Sequence, residues 1–357
     1  MSETTGATET TSAAGAAEAG RGERGTSSRG VSPLIRRNWR ALALGVLLLL
    51  AAAAPFQLVP FRVFQLTMVM VYAVALIGLN LLTGHAGQIS LGHGAFFAVG
   101  AYGTAVMMYH WGLAYPLTLP LAAAAAFVIG YAFGVPATRL RGLYLALVTL
   151  AIAIFLVPLL KRFESVTGGS MGLTLEKPAP PGWTGLAPDQ WLYFLALGGT
   201  VLAFLVVRFL LRSRVGRAMH AVRDNETAAE VMGVRPASYK RSAFAWSAMF
   251  AGAAGCLYTW TIGFVSPDSF TVNLSITLLA GIVVGGLGST WGPLLGGLFV
   301  MFVPSWSQDI NKAAPGVIFG LLIIAVMYVA PTGLAGLAKR TADWFDKTRS
   351  IRNLRKG

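Results

Sequence analysis

Long apolar runs, separated by short polar or glycine-rich segments, recur along the chain from about residue 41 to about residue 332. A helix needs about 20 mostly apolar residues to cross a bilayer. The pattern therefore predicts an all-α, polytopic integral membrane protein with about ten transmembrane helices. These spans are expected at about residues 41–60, 62–83, 88–109, 115–136, 142–160, 190–211, 241–264, 273–288, 292–306 and 315–332.

The eighth and ninth spans share one glycine-rich run. Within it, Gly288, Ser289 and Pro293 predict a break, because glycine and proline interrupt regular helix. The run is compatible either with two short helices that each reach half the depth of the membrane or with one tight hairpin.

Charge is scarce and unevenly placed. Charged residues make up 12% of the chain and hydrophobic residues 55%, whereas a typical soluble domain is about 25% charged. The net charge is +14, but the basic residues gather at span ends rather than on one face, which argues against nucleic acid as a partner. Four basic clusters are present, at residues 36–40, 139–141, 208–241 and 339–356. With ten spans, all four fall on the same side of the membrane, which the positive-inside rule identifies as cytoplasmic. We therefore expect a multi-pass protein of the cell membrane, in contact with lipid, with both termini cytoplasmic.

The two ends of the chain differ in composition from the part between them. Residues 1–33 are rich in Ser, Thr, Gly, Ala and Glu and predict a disordered N-terminal tail. Residues 34–335 form the predicted transmembrane domain, with a cytoplasmic loop at about residues 212–240, and residues 336–357 form a basic cytoplasmic tail. The single cysteine, Cys256, has apolar neighbours and is predicted to be a small core residue.

Motifs of membrane enzymes are weak. Ser170 lies in a G-x-S-x-G match, but this match follows a membrane span in a polar loop, whereas the nucleophile motif joins a strand to a helix. The chain contains no Gly-Lys pair and no H-E-x-x-H motif. His85 and His93 lack the carboxylate or thiolate partners that a metal site needs. We therefore expect no catalytic residue, no bound cofactor and no metal in this chain.

The spans also lack the ionisable residues that ion-coupled carriers use. Between Val63 and Thr138 there is no Asp, Glu, Lys or Arg, and between Ser242 and Gln308 the only one is Asp268. A carboxylate proton relay is therefore not expected. Sodium held by backbone carbonyls at a broken helix would leave no charge in the sequence, so this alternative stays open.

One polar segment, GHAGQISLGHGAFF at residues 84–97, stands inside this apolar region. It has two interpretations. Its glycines and polar side chains serve close helix packing, or it is a broken helix beside the translocation path, since non-helical backbone at membrane depth requires protein or a wet cavity around it. The residues that would line such a path are Asn80, Gln88, Ser90, Gly92 and His93.

The predicted cytoplasmic loop contains signals for a short helix near residues 225–232. Thr227 and Glu230 have the spacing of a capping box, and Asp224 is a competing N-cap. Gly233 suits the position just after the helix, and Pro236 follows soon after. A solvated charged loop with one helical turn is the alternative.

The stretch ETAAEVMG at residues 226–233 resembles the EAA loop of ABC importer permeases, although Thr227 interrupts the strict Glu-Ala-Ala triplet. The surrounding GRAMHAVRDNETAAEVMGV is similar to the version in branched-chain amino-acid permeases of the LivM and LivH type, with the LivM branch favoured. The same similarity appears in the segments GLNLLTG, AGQISLGHGAFFAVGAY, GLY with LALVTLA, TGGSMGL and GGLGSTWGPLLGG, in the family's order.

This resemblance implies a permease subunit of an ATP-driven importer of leucine, isoleucine, valine or a related small solute. Its partners would be two ATPase subunits that use ATP and Mg²⁺, a second permease subunit and an external binding protein, which docks on the outer loop at about residues 161–190. The residues implied in coupling to the ATPase are Arg217, Arg223, Asp224, Glu226, Ala228, Ala229, Glu230 and Gly233. The alternative is an ATPase-independent secondary carrier or channel for a small polar solute.

Overall fold

The computed structural model describes residues 45–46, 48–140, 142–310 and 315–337. The expected N-terminal tail, part of the first span and nearly all of the basic C-terminal tail lie outside these residues. The chain divides into two units, Met1–Ala51 and Ala52–Gly357. All contacts given below are made within the second unit.

Helices dominate the described residues. They are α1 (Leu48–Gln57), α2 (Pro60–Leu79), α3 (His93–Trp111), α4 (Tyr115–Ala137), α5 (Leu143–Arg162), α6 (Glu164–Thr167), α7 (Pro188–Arg212), α8 (Arg214–Asp224), α9 (Glu226–Val231), α10 (Pro236–Ile262), α11 (Val272–Gly285), α12 (Gly292–Ile310) and α13 (Pro315–Val329). A π-helical segment, Asn80–His85, continues α2, and short 3₁₀ turns are formed by Gly169–Met171 and Pro267–Phe270. Two short strands, β1 (Leu173–Thr174) and β2 (Phe264–Val265), pair antiparallel.

The all-α polytopic membrane class is confirmed. Among the described residues, five helices are long and apolar enough to cross a membrane: Pro60–His85, Tyr115–Ala137, Leu143–Arg162, Pro188–Arg212 and Pro315–Leu337. These correspond to the second, fourth, fifth, sixth and tenth predicted spans. The third predicted span begins at His93 rather than near residue 88, because residues 86–92 connect two helices without being helical themselves.

The eighth and ninth predicted spans form two helices that reverse direction at residues 286–291. Helix α11 has 14 residues, so at 1.5 Å per residue it is about 21 Å long. The positive φ of Gly286 (115°) and Gly288 (72°) allows the turn. The two helices pack against each other as a hairpin, and the depth that each reaches in the membrane stays a prediction.

Helices α2 and α10 lie at the centre of the molecule. Helix α10 packs against α2, α3 and α4, and α2 also contacts α7, α11 and α12. Helices α3 and α10 approach closely because Gly255 has no side chain at their contact. A Cβ on Gly255 would lie 2.0 Å from the Phe97 carbonyl oxygen. Cys256 is fully buried here, as expected of a small core residue.

The connections between helices gather at two opposite ends of the bundle. One end carries residues 84–92, α8, α9 and the α11–α12 turn, and most of the arginines of the described loops. The other end carries the β1–β2 pair and an ion pair between Lys161 Nζ and Asp268 Oδ1, 2.7 Å apart. The bundle thus separates a strongly basic end from a nearly neutral one.

Candidate functional site

Helix α8, which was not predicted from the sequence, precedes the expected coupling helix. The Ser213 side chain caps it by accepting hydrogen bonds from the backbone N–H groups of Val215 (3.1 Å) and Gly216 (3.5 Å). Its buried residues are Gly216, Ala218, Met219 and Val222. A serine N-cap followed by apolar residues at helical spacing is the signal in the sequence that could have found this helix.

The expected coupling helix is α9, and its start differs from the prediction. Asn225 is the N-cap, and its Oδ1 accepts a hydrogen bond from the Ala228 N–H at 3.0 Å. The predicted capping box of Thr227 and Glu230 is wrong because Thr227 lies inside α9. The alternative cap at Asp224 is wrong because Asp224 is the last residue of α8. Asparagine caps as well as serine or aspartate does, so composition alone could not decide between neighbouring positions.

The end of α9 agrees with the sequence. Gly233 has φ of 81°, its N–H donates to the Glu230 carbonyl oxygen at 2.9 Å, and the Val234 N–H donates to the Ala229 carbonyl oxygen at 3.0 Å. These two bonds form a Schellman motif, which requires a residue in the left-handed region and therefore favours glycine.

The two small residues of α9 lie on different faces. Ala228 is exposed, whereas Ala229 is only 4% exposed and packs within the chain. Of the two alanines expected to contact the ATPase, Ala228 is thus the exposed one, and the coupling role of both stays a prediction. Val231 and Met232, which are not among the predicted coupling residues, are 83% and 85% exposed.

The charged residues of this region divide between internal and outward-facing contacts. Glu226 pairs with Lys240 of α10 at 2.8 Å, so its carboxylate ties α9 to the membrane helices. Arg217 is exposed, and its Nη1 donates to the Arg212 carbonyl oxygen at 2.9 Å. Asp224 and Glu230 are exposed. The exposed surface of α9 and its surroundings thus combines apolar side chains with charged neighbours.

Helix α8 is bonded directly to the interrupted end of α2. The guanidinium of Arg223 donates a hydrogen bond to the Gly84 carbonyl oxygen, and His220 Nε2 lies 2.9 Å from His85 Nδ1. Gly87, with φ of 68°, passes so close to Arg223 that a Cβ there would meet the arginine Cγ at 3.0 Å. The structure therefore brings together two features that were separate in the sequence, the polar segment and the coupling stretch.

Asn80 and Gln88, two of the expected path residues, make contacts between elements. Asn80 Nδ2 donates to the Ser289 carbonyl oxygen and its Oδ1 accepts from the Gly288 N–H, both at 2.8 Å, so this side chain clamps the α11–α12 turn. Gln88 Nε2 donates to the Lys240 carbonyl oxygen at 3.2 Å. Both are buried, which is the geometry of a packed joint.

Ser90, Gly92 and His93 complete this joint on the side of α3. Ser90 Oγ accepts from the Gly92 N–H at 3.3 Å, and a Cβ on Gly92 would meet the Thr149 carbonyl oxygen of α5 at 2.6 Å. His93 Nε2 lies 2.7 Å from Ser247 Oγ of α10. His85 and His93 thus have different partners. The packing interpretation accounts for these contacts, and the path-lining role stays a prediction.

The outer connection between α5 and α7 presents two exposed side chains, Met171 and Trp183, at 87% and 85% exposure. Ser170 is exposed beside Met171 in a 3₁₀ turn that follows helix α6. The strand, sharp turn and helix of a nucleophile elbow are therefore not formed around it. The β1–β2 pair ties this loop to the α10–α11 connection.

Comparison with known proteins connects these features to a family. The family model described as "Branched-chain amino acid transport system / permease component" matches residues 61–330. The chain is 35% identical to the high-affinity branched-chain amino acid transport system permease protein LivM of Escherichia coli (strain K12), over 84% of this chain and 75% of that protein. It is 28% identical to the corresponding permease protein BraD of Pseudomonas aeruginosa, over 76% of this chain and 93% of that one. It is 26% identical to the permease protein LivH of Escherichia coli (strain K12), over 74% and 91%.

Proposed function

The chain belongs to the family of branched-chain amino acid transport permease components, and we propose that it is the membrane-spanning permease subunit of an ATP-binding-cassette importer. The proposed cargo is leucine, isoleucine or valine, or a related small solute. The observation that carries the proposal is the exposed helix α9, which is bonded through α8 to the interrupted membrane helix α2. This arrangement gives an external subunit a direct mechanical connection to the membrane helices.

The proposal includes about ten spans and two cytoplasmic termini. Support comes from the alternation of helix directions: the connections at residues 84–92, 213–235 and 286–291 contact one another at a single end of the bundle, through Gly84, Arg223 and Gly288. The basic residues of the described loops lie mostly at this end. The positive-inside rule assigns such an end to the cytoplasm.

The ATPase partner is proposed to receive α9 in a cleft. Ala228, Val231 and Met232 form the exposed apolar surface that would enter the cleft, and Glu230, Asp224 and Arg217 would lie at its polar rim. Buried apolar contacts surrounded by polar ones are typical of specific protein interfaces. ATP and Mg²⁺ would be bound by that partner, two copies of which serve a pair of permease subunits.

The external binding protein is proposed to dock at the opposite end, on the connection between α5 and α7. Support comes from exposed Met171 and Trp183, since aromatic residues and methionine are enriched at protein interfaces. The β1–β2 pair and the Lys161–Asp268 ion pair hold this loop in place.

Co-purification of the ATPase subunits with the full-length chain tests the proposed docking site. Ala228→Trp places a bulky side chain on the exposed face of α9, so we expect at least a tenfold loss of bound ATPase. Ala187→Trp makes the same change at an exposed position on the proposed outer side, and this variant should retain the bound ATPase. Equal retention by both variants would contradict the docking site. Uptake by the chain without any ATPase would instead favour a secondary carrier or channel.

A further inference from the structure

A cavity of about 210 Å³ lies between α7, the end of α2 and the α11–α12 turn. In the orientation proposed above, it opens near the cytoplasmic surface of the membrane. Its polar lining comes from Asn80, His85, Arg208, Arg212 and Thr290, and the rest of the wall is aliphatic and aromatic. Of this lining, the transport function proposed above uses His85, through its contact with His220, and gives no role to Arg208 or Arg212.

The two arginines give the cavity its charge. Arg208 and Arg212 are four residues apart on α7 and therefore face the same side of the helix. No carboxylate lines the cavity, and neither guanidinium forms an ion pair with another of the described residues. Two uncompensated guanidinium groups beside a cavity attract an anion, and their planar, forked donors match the oxygens of a phosphate group.

The surface beside the cavity is strongly apolar. Leu202, Leu205 and Phe209 of α7 are 56%, 59% and 82% exposed. Their spacing places them on one face of the helix, next to the face that carries the arginines. An anion with attached hydrocarbon chains matches this pair of surfaces better than a free anion does.

We propose that this cavity binds the headgroup of an anionic phospholipid from the cytoplasmic leaflet. Arg208 and Arg212 hold the phosphate, Asn80 and Thr290 offer further hydrogen bonds, and the acyl chains lie along the exposed strip of α7. Basic pockets between transmembrane helices on the cytoplasmic side are suited to such headgroups. The inference rests on the proposed orientation, but not on the identity of the transported solute.

The cavity also adjoins helix α8, which is proposed to take part in coupling to the ATPase. His85 lines the cavity, and its Nδ1 lies 2.9 Å from His220 Nε2 of α8. A bound headgroup would therefore contact His85, the residue that connects the end of α2 to α8. Lipid composition is thereby placed to influence how α8 sits on the membrane helices.

Native mass spectrometry of the full-length chain, with whatever subunits co-purify, tests the proposal. We expect the wild-type protein to retain phosphatidylglycerol at least tenfold more than phosphatidylcholine when both are supplied in equal amounts. Arg208→Gln with Arg212→Gln should remove this preference. Arg139→Gln with Arg235→Gln removes the same charge from exposed positions outside the cavity. This control variant should keep the preference for phosphatidylglycerol. An unchanged preference in the first double variant, or its loss in both, would overturn the site.

Two further measurements separate the remaining explanations. Arg208→Lys with Arg212→Lys keeps the charge but loses the forked donors. We therefore expect this double variant to retain an intermediate amount of phosphatidylglycerol and to keep an unaltered gel-filtration profile. A loss of phosphatidylglycerol as large as that in the glutamine double variant would contradict the forked contact. Inorganic phosphate should not displace the lipid at equal concentration. Displacement would show that a free anion is the ligand and overturn the lipid assignment. Because neither measurement uses transport, a failure here is distinct from a failure of the proposed function.

Discussion

Two glycines one turn apart on α3 show, at the scale of single residues, how tightly the centre of the molecule is packed. A Cβ on Gly100 would lie 2.0 Å from the carbonyl oxygen of Gly252 on α10, whereas a Cβ on Gly103 would meet nothing within 4 Å. Small residues let transmembrane helices approach closely where hydrophobicity alone cannot drive their association. Only Gly100 is therefore required by the contact.

We expect Gly100→Ala to lower the melting temperature of the purified chain, because overpacking of a tight contact costs about 1–3 kcal/mol. Gly103→Ala, in the same helix, should leave it unchanged or raise it, since alanine stabilises a helix by about 0.5–1 kcal/mol relative to glycine. A thermal unfolding series in one detergent compares the two variants. Equal melting temperatures would contradict the close α3–α10 approach.

Asn80 shows which residue roles could be inferred from the sequence and which could not. Its polarity inside an apolar span marked it as a candidate, because polar groups in a membrane need partners. Its partners, Gly288 and Ser289, are more than 200 residues away along the chain. Local sequence patterns carry no information about such pairs, so the sequence could not show that Asn80 clamps the α11–α12 turn, and its path-lining role stays a prediction.

At the scale of elements, the central feature is the joint between α2 and helices α8 and α9, which are proposed to couple to the ATPase. Helix α8 is bonded to the π-helical end of α2 through Arg223 and His220, and α9 is tied to α10 through Glu226 and Lys240. Helices α8 and α9 are thus connected to two central membrane helices, α2 and α10, through short side-chain contacts. Segments of π-helix often occur at functional sites.

We expect Arg223→Gln to uncouple the transporter: uptake should fall about tenfold while the ATPase subunits continue to hydrolyse ATP. The physical reason is the loss of a charged hydrogen bond to the Gly84 carbonyl oxygen, an interaction that contributes about 1.5–3 kcal/mol. Arg235→Gln, at an exposed arginine, is the matched control. Uptake and ATP hydrolysis are measured for both variants in the same proteoliposome preparation. A parallel fall in uptake and hydrolysis in Arg223→Gln would contradict the role of this joint in coupling.

The elements themselves were predictable where their signals are local. The end of α9 followed from Gly233, and most span boundaries followed from runs of apolar residues. The start of α3 was not predictable, because the polar residues before it make tertiary contacts, such as that of Gln88 with Lys240. The hairpin of α11 and α12 stayed ambiguous because its close approach depends on glycine contacts between distant turns.

At the scale of the whole molecule, the basic end and the nearly neutral end define a direction across the membrane. Helices α8 and α9, which are proposed to couple to the ATPase, lie at the basic end, and the exposed Trp183 lies at the other. Importers need this separation, since cargo arrives on one side and ATP is hydrolysed on the other. The described helices provide it without any charged residue deep in the central spans.

Cysteine labelling tests this sidedness. In a Cys256→Ser background, we expect Trp183→Cys to react with a membrane-impermeant maleimide in intact cells, and Ala228→Cys to react only in inside-out vesicles. Both positions are exposed, so a lack of access would reflect the membrane rather than burial. Labelling of both from the same side would be incompatible with the proposed topology.

The central claim is tested most directly by uptake of radiolabelled leucine, isoleucine and valine into proteoliposomes that contain the chain with its co-purified permease and ATPase subunits. With the external binding protein outside and ATP inside, we expect saturable uptake of at least one of these amino acids, and none when ATP is replaced by a non-hydrolysable analogue. Uptake that continues at the same rate with the analogue would show that the chain is not the permease of an ATP-driven importer.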